Sequence, residues 1–144
     1  MTSTNAMRFA DTNILLYSVS TAPGEERKAA VARSLLAEKD LVLSVQVLQE
    51  FYVQATRPSR RNPLPHSIAV ELIEKWRRFR IQETTLDIMT AAFDAKERWE
   101  ISYWDAAIIE AARASGCREL LSEDLADGQS YGGVRVINPF RGPD

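Results

Sequence analysis

Short apolar runs, too brief to be helices, alternate along this chain with longer stretches in which apolar residues recur every three or four positions. Met7 to Ala10, Leu41-Val42-Leu43, Glu119 to Ser122 and Val134 to Ile137 read as strands, with a brief further one at Ile81 to Thr84. Between them, Glu25 to Leu36, the segment from Ser44 to about Ala55, His66 to Phe79, Asp87 to Trp99 and the run from Ser102 to Gly116 read as helices. A continuous apolar run such as Leu41-Val42-Leu43 suits a strand covered on both faces, and parallel strands need helical crossovers of about this length. The pattern predicts an α/β fold, a three-layer α/β/α sandwich around a central, mostly parallel sheet.

At 144 residues, 45% of them hydrophobic and 26% charged, the chain reads as one domain with its own core, spanning 7–140. Residues 1–6 read as a disordered lead and 141–144 as a tail. No apolar run reaches the roughly 18 residues of a membrane span. The single cysteine, Cys117, leaves no disulfide framework and fits the cytoplasm. The helices have assignable faces: Ala29, Ala32, Leu35 and Leu36 in one; Leu48, Phe51, Tyr52 and Ala55 in the next; Ile68, Leu72, Trp76 and Phe79 in the third; and Ile88, Ala92, Ala95 and Trp99 in the fourth.

What the strands end on is more informative than the strands themselves. Met7 to Ala10 hands over to Asp11-Thr12-Asn13, and Leu120-Leu121-Ser122 to Glu123-Asp124, with Asp127 following. In open parallel sheets, chemistry gathers beyond the carboxyl ends of the strands, so acids there are offered to a cleft. Asp11 equally suits a helix N-cap, with Thr12 and Asn13 able to bond the turn. Glu50 lies on a polar stripe with Gln46, Gln54 and Arg57, either as a solvated residue or at the same rim as Asp11. Asp105 completes a Ser102-x-x-Asp105 capping box, yet it opens a helix so rich in Ala and Ile that its first turn is the only polar edge.

If Asp11, Glu50, Asp105 and Asp124 meet, two carboxylates about 4 Å apart repel by roughly 4 kcal/mol at an effective dielectric near 20, so protons or a cation must relieve them. His66 is the only histidine and lies in a proline-rich loop, which argues against a histidine acid-base pair and a His-rich zinc site. All-oxygen donors favour Mg²⁺ or Mn²⁺, ions that suit phosphodiester hydrolysis. No glycine-rich phosphate loop and no G-x-S-x-G elbow is present.

These stretches, D-T-N-I-L-L-Y from Asp11, Ser44 to Glu50, Y-W-D-A-A-I-I from Tyr103 and L-L-S-E-D-L from Leu120, resemble those of PIN-domain ribonucleases, in particular the VapC-type toxins of toxin-antitoxin pairs. The resemblance runs from Met7 to Phe140. It implies an endoribonuclease dependent on Mg²⁺ or Mn²⁺, with Asp11 and Asp105 as direct metal ligands. Glu50 would complete the pocket and help activate water, and Asp124 would bind through water or hold a second ion. Ser122 stands where the family often has Thr, and Thr12, Asn13 and Asp127 are secondary candidates. The resemblance further implies a homodimer and a small antitoxin that inserts a segment into the cleft. Two other readings share the fold: a PIN-like RNA-binding or scaffold module without catalysis, and a DNA-directed nuclease.

A net charge of −2 argues against a protein that coats nucleic acid. Local cations remain: Arg57, Arg60 and Arg61 in a proline-punctuated loop, and Lys75, Arg77, Arg78 and Arg80 at a helix end. The second group either complements the helix dipole or, with the first, grips RNA phosphates.

Overall fold

The computed structural model describes residues 7–142, so the expected lead at 1–6 and the last two residues of the expected tail lie outside the described residues. In chain order the elements are β1 (Arg8–Ala10), α1 (Thr12–Ser18), α2 (Glu26–Leu36), β2 (Leu41–Ser44), α3 (Val45–Thr56), α4 (His66–Trp76), β3 (Arg80–Gln82), α5 (Leu86–Trp99), α6 (Tyr103–Ala114), β4 (Glu119–Leu121), β5 (Ser130–Tyr131) and β6 (Val134–Ile137). The strands form one sheet in the order β3-β2-β1-β4-β6-β5, parallel throughout except for β5 against β6.

This order sets where a site can form. From β1 the chain steps outward to β2 and then β3, and afterwards returns through α5 and α6 to β4, on the other side of β1. Crossovers between parallel strands are right-handed, so reversing the direction of travel moves the connecting helices to the opposite face. Helices α1 to α4 pack among themselves, and α5 packs on α6. The reversal leaves a crevice between the carboxyl ends of β1 and β4, a topological switch point. There the Asp11 amide donates to the Leu121 carbonyl at 3.0 Å, so the two chain exits leave side by side.

The core is built from the strands and the faces turned to them. Phe9, Leu41, Val42, Leu43, Leu120 and Leu121 are buried, together with Phe51 of α3 and Ile109 of α6. Each such side chain contributes about 1.5–3 kcal/mol relative to exposure. Ser44 caps α3 by accepting from the Val47 amide at 3.2 Å, as Thr85 caps α5 through Ile88 at 3.1 Å.

Several sequence expectations are corrected. Helix α4 stops at Trp76, with Phe79 buried in the turn that follows, and its inward face is Ala69, Leu72, Ile73 and Trp76; Ile68 is exposed. The strand expected at Ile81 to Thr84 is Arg80–Gln82, fixed by pairing with β2 rather than by its own short pattern. Ser130–Tyr131, in a glycine-punctuated stretch between Asp127 and Val134 that reads as a surface turn, is a strand, hairpinned onto β6 through Gly132 and Gly133, both at positive φ. Two residues carry no readable alternation, and the hairpin is specified by the glycine pair, which adopts the backbone that other residues resist.

Candidate active site

Beyond the carboxyl ends of β1 and β4 lies a cleft of about 430 Å³ lined by Asp11, Glu50, Asp105 and Asp124, together with Thr12 and Asn13. Each carboxylate comes from a different part of the fold: Asp11 from the end of β1, Glu50 from the second turn of α3, Asp105 from the first turn of α6, and Asp124 from the loop after β4.

Hydroxyls and amides position them. Asp11 is the N-cap of α1, its Oδ1 accepting from the Thr12 amide at 2.7 Å, and its Oδ2 accepts from the Ser122 hydroxyl at 2.8 Å. Capping and presentation to the cleft are thus compatible for the same side chain. Ser122 is fully buried and its oxygen also accepts from the Asp124 amide at 3.1 Å, so it ties the β1 exit to the β4 exit. The Thr12 hydroxyl donates to Glu50 at 2.6 Å, and Gln46 reaches the other oxygen of Glu50 at 3.2 Å while also donating to the Trp104 carbonyl at 3.4 Å. Asn13 donates to Asp124 at 3.1 Å. At α6, the Ser102 hydroxyl accepts from the Asp105 amide at 3.1 Å, which leaves the Asp105 carboxylate for the cleft.

The electrostatics follow from this crowding. Burial, above all, pushes the Asp11 carboxyl up to about 6; bonds from Ser122 and Thr12 pull it down, and the charges of Asp124 and Glu50 add to the rise. Asp105 is shifted upward, again first by burial, with the Ser102 hydroxyl opposing and Asp124 and Glu50 reinforcing. Among the described residues none of the four forms an ion pair, whereas their neighbour Glu123 pairs with Lys28 and accepts from the Tyr17 hydroxyl at 2.6 Å.

The donor set fits a hard dication. Every carboxylate offers oxygen donors, and Asn13, whose amide nitrogen bonds Asp124, holds a buried Oδ1 with no hydrogen-bond partner among the described residues. Among the described residues, no three Asp, Glu, His or Cys side chains form a ready-made cage for one ion. An ion here would therefore be gripped by one or two carboxylates and keep waters, as Mg²⁺ characteristically does.

Other expected residues lie elsewhere. Asp127 is outside the cleft: it accepts from the Asn138 amide at 2.8 Å and pairs with Arg141 at 2.8 Å, a clip on the segment after β6. Arg60 lines the cleft, Arg57 an adjoining groove, and Arg61 a hollow beside the α1–α2 connection. Lys75 and Arg78 are not brought to the site, because α4 ends where β3 begins, at the amino ends of the strands and so at the opposite rim. There Lys75 pairs with Glu71 at 3.9 Å, and Arg78 donates to the Leu36 carbonyl while lying over the Phe79 ring. The sequence reading also passed over Trp104, Gln54, Tyr17 and Glu25 as lining residues. Helical spacing signals two of them, Gln54 four residues after Glu50 and Tyr17 four after Asn13, whereas Trp104 is only the chain neighbour of Asp105 and nothing local marks Glu25.

Residues 8–126 match the family model described as "PIN domain". The chain belongs to the PIN domain family. The matched span of this PIN domain holds all four cleft carboxylates and stops short of Asp127. Solved structures repeat the fold. Mycobacterium tuberculosis VapC20, described as a sarcin-ricin loop cleaving toxin, aligns with a TM-score of 0.64 at 22% identity over 81% of this chain and 91% of its own. A toxin-antitoxin complex from Klebsiella pneumoniae gives 0.66 at 18% identity, covering 92% and 97%. FitAcB from Neisseria gonorrhoeae gives 0.65 at 21% identity, covering 93% and 99%. At this level of identity the likeness is one of fold. No curated protein matches the chain significantly in sequence.

Proposed function

We propose that this PIN domain is a metal-dependent endoribonuclease, the toxin of a toxin-antitoxin pair acting in the cytoplasm, and that Asp11, Glu50, Asp105 and Asp124 are its site. The observation that carries the reading is the convergence, in one cleft, of four carboxylates without an ion-pair partner among the described residues. A protein that needed these acids only for stability would pair them, as it pairs Glu123. Family membership supports a nuclease, and the toxins and toxin-antitoxin complexes among proteins of the same fold support the biological setting.

Asp11 and Asp105 would hold Mg²⁺ or Mn²⁺ directly and Asp124 through water. Such an ion supplies Lewis acidity to a phosphodiester and acidity to water. The chain's own residues do the rest. Ser122 and the Thr12 amide hold Asp11 in one rotamer and lower its proton affinity, so that it is anionic at neutral pH despite its burial. Glu50, fixed by Thr12 and Gln46, is the carboxylate placed to accept a proton from an attacking water. Arg60, at the cleft mouth, meets the RNA backbone. A homodimer and a small antitoxin covering the cleft complete the proposal.

The test is cleavage of matched RNA and DNA hairpins with Mg²⁺, with Mn²⁺ and with a chelator. RNA should be cut only with a divalent ion, and Asp105→Asn should lose cutting by at least about a hundredfold while keeping the wild-type circular dichroism. Undiminished cleavage by Asp105→Asn, or cleavage of DNA alone, would overturn the assignment.

A further inference from the structure

Trp104 is 62% exposed, an unusual position for a large aromatic in a domain whose other two tryptophans are wholly or largely covered. It is the second residue of α6, beside Asp105, and it is held in place. The Tyr103 ring meets it edge-on at 4.9 Å, Phe93 lies 5.5 Å from Tyr103, and the Trp104 carbonyl is bonded by Gln46. An indole kept rigid and in solvent is a preformed contact surface.

Trp104 stands between two hollows. One is the acidic cleft. The other is a groove of about 330 Å³ between α3 and α6, and Glu50 and Gln54 line both, so the groove continues the cleft. Its apolar wall is Trp104 with Val53, which is 57% exposed. Gln49 and Gln54 bring side-chain amides, and at its end is the Arg57 guanidinium; among the described residues none of these three side chains has a hydrogen-bond or ion-pair partner. An aromatic plane, amides carrying both donors and acceptors, and an unpaired cation match in order what one nucleotide offers: a π-face, a base edge and a phosphate.

We infer that this groove is a nucleobase subsite, in which Trp104 stacks an unpaired base next to the scissile phosphate, Gln49 and Gln54 meet the base edge, and Arg57 meets the adjoining phosphate. The inference rests on the ribonuclease reading and extends it to the form of the substrate: RNA with a base free to leave its helix at the cut, chosen by stacking more than by identity. Charge complementarity favours RNA over a protein segment here, because Arg57, at the C-cap of α3, lines this groove and not the acidic cleft, and so offers a positive charge next to the carboxylate pocket instead of within it.

The experiment measures binding of a short, fluorescently labelled single-stranded RNA in EDTA at low salt, so that no cleavage is needed, for wild type, Trp104→Ala and Trp104→Phe. A second set of RNAs carries one abasic position moved along the strand. Trp104→Ala should bind about ten- to a hundredfold more weakly, Trp104→Phe should recover most of the loss, and one abasic position should erase the difference between wild type and Trp104→Ala. Wild-type tryptophan fluorescence should be quenched on binding, and the quenching should vanish in Trp104→Ala. Equal binding by wild type and Trp104→Ala would overturn the subsite, as would a loss that no abasic position erases, or a change only in sedimentation, which would make Trp104 a protein contact. These outcomes are separate from failure of the ribonuclease reading, which would appear as base-dependent binding by wild type with no cutting under any divalent ion.

Discussion

Asp11→Asn tests the physical basis of the site without depending on a substrate. The folded carboxyl titrates at about 6 against an ordinary value of 3.8, so the folded protein binds this proton more tightly than the unfolded chain does. The linked stability is therefore fully present below pH 3.8 and is lost as pH rises through about 6. At about 1.36 kcal/mol for each pH unit of displacement, the ionised side chain costs the metal-free fold roughly 3 kcal/mol at neutral pH. Asparagine removes that cost. It keeps one acceptor for the Thr12 amide and must present its amide group toward Ser122, which forfeits about 1 kcal/mol of hydrogen bonding. The net expectation is a gain of about 2 kcal/mol at pH 7 in EDTA, or roughly 4–8 °C in melting temperature for a chain of this length. At pH 4 the gain should disappear. Urea denaturation of both proteins in EDTA at half-unit steps from pH 4 to 8 measures it, and repeating the series with millimolar Mg²⁺ should stabilise the wild type and not the variant. A stability difference that does not change with pH, or a variant less stable at pH 7 than at pH 4 relative to wild type, would refute the account of Asp11.

The remaining expectations concern the residues around it. Ser122→Ala removes the bond that opposes the upward shift of Asp11, so the acid limb of the pH–rate profile should move to higher pH, with a fold destabilised by about 1–2 kcal/mol; an unmoved limb would show that the hydroxyl only fills space. Arg60→Ala should weaken RNA binding across all sequences and reduce the slope of log affinity against log salt by about 0.7, whereas Lys75→Ala, at the opposite rim, should change neither; filter binding from low to moderate salt distinguishes the two.

Much of the architecture could be read before any coordinates. The faces of α2 and α5, the caps Ser44 and Ser102, and the α/β/α layering all follow from local periodicity and side-chain chemistry, because a helix must bury whatever face it has and a buried parallel strand must be apolar throughout. Failures fell where local pattern is too short to decide, as at Ser130–Tyr131, or where a neighbour decides instead, as at Ile68, which is apolar, helical and exposed.

The site divides in the same way. That Asp11 and Asp124 follow buried strands is a property of the sequence, and so is the presence of a single histidine, His66, too few for a His-rich site for a softer metal. Sequence order says nothing, however, about which strands are neighbours. Only the return of the chain across β1 brings the β4 exit beside Asp11, joins both through Ser122, and lets α3 and α6 approach from opposite faces with Glu50 and Asp105. The same geometry sends Lys75 and Arg78 to the far rim and turns Asp127 into a clip, although in sequence they look as promising as Arg60 or Asp124. Residue types and periods are encoded locally, whereas the distance between groups far apart in the chain is set by the direction in which a crossover runs, and that is decided only when the whole sheet has formed.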